Sequence, residues 1–144
     1  MIDKFHGEYR FLSNFYPCKI FYKGVGFPSV EHAYVAAKTF DITIITTISL
    51  LRPDQAGKAK RIGRKLKLRS DWEEVKLDIM EYLLIQKFDQ ISLKEKLFQT
   101  GQIKLIEGNT WHDNFYGNCE CPKCQNIKGE NHLGKLLMKV RKLL

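Results

Sequence analysis

No stretch of this chain approaches the ~20 consecutive apolar residues that a helix needs to cross a bilayer. The opening Met1-Ile2-Asp3-Lys4 also lacks the basic-then-apolar order of a signal segment. The expectation is a cytoplasmic protein that engages no membrane. Glycine-rich nucleotide loops and the Gly-x-Ser-x-Gly elbow are both missing, and no cysteine stands in a helix-start context, so a nucleophilic hydrolase triad has no support. Internal repeats, low-complexity tracts and linkers are absent too. The 144 residues are therefore expected to form one domain, 1–144, around a single core. Acids are scarce: 16 Asp and Glu face 24 Lys and Arg, and the formal charge of +8 should attract phosphorylated or polyanionic ligands. Seven of the bases, from Lys58 to Arg69, occur without one intervening acid, as either a phosphate-binding face or a solvated helix surface.

What is present gathers in Asn109-Thr110-Trp111-His112-Asp113-Asn114-Phe115-Tyr116-Gly117-Asn118-Cys119-Glu120-Cys121, which mixes acids, a histidine, amides and aromatics with no helical or strand period. Such a segment reads as a surface loop able to orient, stack on and protonate a small ligand, or as an ordinary polar loop. Cysteine is limited to Cys18, Cys119, Cys121 and Cys124. The last three form Cys-x-Cys-x-x-Cys, which reads either as three thiols or as a metal knuckle with Cys18, His112 or His132 as fourth zinc ligand. A second ligand pair is missing, so thiols are expected; if any metal binds, Cys119, Cys121 and Cys124 would hold it.

The remaining elements follow from pattern. Aromatics punctuated by Gly and Pro over residues 1–28 indicate short strands and turns, with a hairpin joining 18–22 to 25–27. Ser29 is a plausible N-cap for a helix running to about Phe40, on which Glu31 and Lys38 share a face with Tyr34 as the floor between them. Residues 42–51 are β-branched yet repeat at spacing three, and helix is preferred. A basic helix opens at Arg52-Pro53-Asp54, and Gly63 within it signals close packing or a break. Ser70-Asp71-Trp72-Glu73 has the form of a capping box ahead of a long helix to Phe88, and Ser92-Leu93-Lys94-Glu95 repeats it for a shorter one. Residues 103–106 suit a strand, and the stripe Leu136, Leu137, Val140, Leu143 and Leu144 suits a last helix.

Carboxylates, a helix lysine, amides and stacking rings suit cleavage of a C–N bond to a sugar. The ribosyl carbon becomes oxocarbenium-like as that bond breaks, and a fixed carboxylate stabilises the charge and orients the attacking water. The chain in fact resembles the YbiA-like (NADAR) N-glycosidases in six ordered blocks. These are Phe11-Leu12-Ser13-Asn14-Phe15; Ser29-Val30-Glu31-His32-Ala33-Tyr34 through Lys38; Ile62-Gly63-Arg64; Asp71-Trp72-Glu73-Glu74-Val75-Lys76; His112-Asp113-Asn114-Phe115-Tyr116-Gly117; and Asn131-His132-Leu133-Gly134-Lys135-Leu136-Leu137-Met138.

The resemblance implies a helix-rich α+β domain with a small antiparallel sheet (the YbiA-like fold) and no cofactor. It also implies hydrolysis of an N-glycosidic bond in a ribosylated aminopyrimidine of the riboflavin pathway or in ADP-ribosylated guanine, free or in nucleic acid. Carried over by position, Glu31, Lys38 and Asp113 are the catalytic candidates. Asn14, Phe15, Tyr34, Arg64, Trp111, His112, Tyr116, Gly117 and Asn131 are the substrate-binding ones. The family often has Trp where Tyr116 stands, and some members lack the three clustered cysteines. The competing reading is a zinc-knuckle module that binds nucleic acid through residues 58–69 without catalysis.

Overall fold

The aromatic run at 20–27 folds as the expected hairpin. β1 (Ile20–Tyr22) lies antiparallel to β2 (Val25–Phe27), pairing Ile20 with Phe27 and Tyr22 with Val25. Lys23 and Gly24 make the turn with φ of 50° and 80°, the doubly left-handed geometry that matches strand twist and that glycine adopts without strain. Gln86 covers the outer edge of β1, its amide donating to Phe21 O and accepting from Phe21 N. That exposed edge is thus closed to further pairing.

The computed structural model describes residues 1–144, and the chain forms two compact units. The first, Asn14–Asp89, holds the hairpin and four helices: α1 (Val30–Ala36), α2 (Ile42–Ser49), α3 (Ala56–Lys65) and α4 (Trp72–Lys87). α1 is its centre, packed on α2, α3, α4 and both strands. Val30, Ala33, Val35, Ala36, Met80, Leu83, Leu84 and Phe88 are buried there. The sequence expectation carried α1 on to Phe40, but it stops at Ala36. Thr39 and Asp41 end it: Thr39 Oγ1 accepts from Asp41 N, and Asp41 Oδ1 accepts from Thr43 N and Ile44 N to start α2. Helix was the right choice for 42–51. The box at 70–73 does not form, because Asp71 is the N-cap without a side-chain cap bond and its carboxylate is gripped by Arg69 Nε and Nη2 at 2.6 and 2.9 Å.

The second unit joins Met1–Ser13 to Gln90–Leu144. It contains a 3-10 segment at Gly7–Leu12, α5 (Ile91–Gln99), β3 (Gly108–Asn109), β4 (Asn118–Cys119) and α6 (His132–Lys142). Phe11, Leu12, Leu93, Leu97, Leu105, Leu133, Leu137 and Val140 are buried in it. α5 begins at Ile91 behind its N-cap Gln90, two residues ahead of the expected Ser92 cap. The strand expected at 103–106 shrinks to a single parallel bridge between Leu105 and Ile2. The second sheet is instead β3 with β4, parallel and two residues long, which binds the two ends of the polar loop together. The class is thus helix-rich α+β with two small sheets, one antiparallel and one parallel.

Candidate functional site

In the unit Asn14–Asp89 the start of α1 is locked first. Ser29 Oγ accepts from His32 N at 3.1 Å and meets His32 Nδ1 at 2.6 Å, while His32 Nε2 lies 3.2 Å from Arg52 O. A proton on Nε2 satisfies all three contacts, because Nδ1 then accepts from the serine hydroxyl. Glu31 N donates to Asn14 O at 3.0 Å, tying the polar turn before the hairpin to the helix that carries Glu31. The Asn14 amide nitrogen faces Met80 Sδ at 3.6 Å, and its buried oxygen has no hydrogen-bond partner. An unsatisfied buried carbonyl costs about 1–3 kcal/mol, and a ligand N–H reaching it would relieve that cost.

Lys38 stands just beyond α1, half-buried, with Nζ 5.5 Å from the centroid of the Tyr34 ring. Tyr34 is itself buried against Trp72, ring centroids 5.0 Å apart, so it forms a fixed floor. A Cβ on Gly63 would come within 3.1 Å of Val35 Cγ1 and 3.3 Å of Lys38 Nζ. The glycine in α3 therefore marks close packing, not a break, and lets the basic helix approach α1. Burial pushes the Lys38 ammonium below its ordinary pKa. Glu31 opposes that shift, and Lys60, Arg64 and Lys76 reinforce it. Lys60 Nζ lies 5.8 Å from the Phe15 ring centroid, and Lys76 pairs with Glu73 at 2.6 Å. Four bases against two acids, Glu31 and Glu73, beside aromatic faces suit an anionic, ring-bearing ligand. A separate cavity of about 220 Å³, lined by Tyr22, Phe40, Ile42, Ile45 and Arg69 among others, contains none of these groups.

In the other unit the polar loop is built around Asn109. Its Oδ1 accepts from Trp111 N and Asp113 N, and its Nδ2 donates to Asp113 O and Glu107 Oε2. Asp113 Oδ1 accepts from Phe115 N and Tyr116 N at 3.1 and 2.9 Å, which fixes the carboxylate at the head of a turn. Trp111 is 45% exposed, whereas Phe115 meets the Tyr116 ring edge-on and the His132 ring at a tilt, with centroids 4.8 and 4.4 Å away.

Three residues expected to bind substrate also make contacts within the fold. Asn131, left-handed at φ 53°, accepts from Glu107 N through Oδ1 and donates to Leu105 O through Nδ2, so both ends of its amide brace the entry to α6. Gly117 faces Glu107 and the Asn109 amide so closely that no Cβ fits there. His112 points its ring at Cys121 and Cys124. Residue types gave no hint of these roles, because an amide, a glycine and an imidazole serve a ligand or a scaffold equally well. Sequence reasoning passed over Asn109 and Glu107 as individual residues, although the loop containing Asn109 was singled out.

Comparison with known proteins supplies independent findings. Residues 3–144 match the NADAR domain. The N-glycosidase of Nostoc punctiforme is 37% identical, over 92% of this chain and 84% of that protein. The N-glycosidase YbiA of Escherichia coli is 32% identical over 95% of this chain and 82% of its own length. A riboflavin biosynthesis protein of Vibrio vulnificus is 35% identical over 99% of this chain, which spans only 36% of that protein. The solution structure of E. coli YbiA superimposes with a TM-score of 0.80, covering 99% of this chain and 86% of that one.

Proposed function

Because this chain belongs to the NADAR family, alongside the YbiA-like N-glycosidases, we propose that it hydrolyses the N-glycosidic bond between a phosphorylated ribose or ADP-ribose and a base. The substrate is an aminopyrimidine intermediate of riboflavin synthesis or ADP-ribosylated guanine, free or in nucleic acid. The observation that carries the reading is the half-buried Lys38 amine over the Tyr34 face, within electrostatic reach of Glu31, Lys60, Arg64 and Lys76.

Each group has a chemical task in such a reaction. Arg64, Lys60 and Lys76 offset the charge of a sugar phosphate, and Phe15 and Tyr34 offer faces to rings. Glu31 stabilises the oxocarbenium-like carbon as the bond to the base breaks, and takes a proton from the water that attacks it. The departing base leaves with its bonding pair and takes up the proton that the attacking water gave to Glu31, so the carboxylate is regenerated. Lys38 acts either as an ammonium on phosphate or as a neutral amine that condenses with the opened sugar aldehyde, with loss of water. Asp113 is the second acidic candidate on the family motif, with one carboxylate oxygen already held by backbone N–H groups.

Incubation with an aminopyrimidine ribotide and with ADP-ribosylated guanosine, read by product mass, tests the assignment. Release of free base from either is expected, with at least about a hundredfold loss in Glu31→Ala and Asp113→Ala. Wild-type turnover in both variants would remove these residues from the chemistry. Salt-steep nucleic-acid binding without base release would favour the non-enzymatic reading.

A further inference from the structure

The loop that carries Asp113 ends in a cluster the glycosidase reading does not use. His112 Nδ1 lies 3.3 Å from Cys121 Sγ and 3.5 Å from Cys124 Sγ, and His112 N donates to Cys119 Sγ at 3.3 Å. The four side-chain donor atoms all fall within 4.8 Å of one another, and none of the cysteines is in a disulfide. A tetrahedral zinc with Zn–S of about 2.3 Å and Zn–N of about 2.0 Å needs donor atoms roughly 3.5–3.8 Å apart. We propose that His112, Cys119, Cys121 and Cys124 form a closed structural zinc site that holds the loop around Asp113.

The local fold is shaped to converge these donors. His112 takes the left-handed conformation at φ 68°, unusual for a side chain with a Cβ, and this turns its ring toward the sulfurs. The β3–β4 pairing places Cys119 beside Asn109, and the 3-10 turn Pro122–Cys124 brings Cys124 back over Cys121, with Cys124 N donating to Cys121 O. Asn114 Oδ1 accepts from Cys119 N and fixes that residue's backbone. Cys119 and Cys124 are buried, as suits sulfur ligands of a structural ion, and Cys121 is half-buried.

The donor set narrows the metal. Three thiols and an imidazole with no carboxylate favour zinc over magnesium or calcium, which prefer oxygen. Four protein ligands leave no open position for water, so the ion's task is to hold the loop and not to activate a nucleophile. The spacing Cys119-x-Cys121-x-x-Cys124 lacked a second pair in sequence, and His112 completes it in space.

Metal analysis of protein purified without a metal-affinity tag, followed by cobalt substitution, decides the matter. About one zinc per chain is expected, and cobalt chloride added to the apoprotein should give the intense thiolate-to-cobalt absorption of a tetrahedral sulfur-rich site. Mercurial titration of the holoprotein should release the zinc as three thiols react. Cys121→Ser should bind zinc at least about tenfold more weakly, while Cys18→Ser keeps it unchanged. A folded wild-type protein with under about a tenth of a zinc per chain, no charge-transfer band with cobalt and freely reacting loop thiols would overturn the proposal. Full zinc retention with an unaltered cobalt spectrum in Cys121→Ser would do the same. None of these readouts depends on glycosidase activity, so the two readings stand or fall separately.

Discussion

Asn109 grips the backbone of Asp113 from both sides, its Oδ1 accepting from Asp113 N at 3.2 Å and its Nδ2 donating to Asp113 O at 2.8 Å. The amide is buried, so deleting it leaves those groups without partners. Asn109→Ala is expected to cost about 2 kcal/mol in stability. If Asp113 is catalytic, the variant should also lower kcat more than it raises KM, because the carboxylate loses its place. Urea unfolding and steady-state kinetics on the same preparation check both, and an unchanged kcat would separate the loop's order from the chemistry.

Lys38 offers a test with opposite signs. Burial and the neighbouring cations lower its pKa, so the amine becomes neutral at a lower pH than an ordinary lysine. If the neutral amine attacks the sugar, borohydride should trap an adduct whose yield rises with pH through that lowered value. If the ammonium holds phosphate, no adduct forms and KM rises over the same interval. Lys38→Arg would then keep much of the affinity, and Lys38→Ala would not.

Lys87 is fully buried in α4, its Nζ 5.1 Å from the Phe88 ring centroid and 5.8 Å from that of Tyr16. Burial lowers its pKa from 10.5 to about 8, with Cys18 pulling weakly the other way. The unfolded chain therefore binds more protons between those values, and stability should rise as pH climbs from about 8 toward 10.5. The gap corresponds to roughly 3 kcal/mol. Urea midpoints of wild type and Lys87→Met across that range provide the test, since the variant should lack this component of the rise. Parallel curves would show that the lysine's charge is already compensated in the fold.

Ser29 and His32 predict acid sensitivity in the same unit. Burial lowers the His32 pKa, so the unfolded chain takes up protons first and stability should fall as pH drops below about 6.5. Ser29→Ala removes the N-cap acceptor of α1 and the hydroxyl facing Nδ1, at a cost of about 2 kcal/mol at neutral pH. His32→Gln should flatten the acid limb; if the limb is unchanged, the titration belongs elsewhere.

Much of the fold was legible before any coordinates. The hairpin at 20–27, the helical reading of 42–51, the long α4 and the closing α6 follow from period, turn residues and apolar stripes, which act within a few residues. The limits of α1 and the caps of α4 and α5 were harder, because side chains such as Asp41 and Asp71 chose among several local partners. The parallel β3–β4 pair was invisible, since two-residue strands carry no period.

The sequence by itself determined the family, the family-motif assignment of the candidate acids Glu31 and Asp113 and of Lys38, and the presence of a polar loop, because ordered motifs and residue types are linear information. Only the tertiary structure decided what each side chain does in its surroundings. Gly63 brings α3 and Lys38 into contact range, and burial there lowers the lysine's pKa. Asn131 and Gly117 brace the loop and the start of α6 because of what they touch. His112 meets three sulfurs because a left-handed residue and a sheet pairing aim them at one point, a convergence that spacing along the chain does not specify.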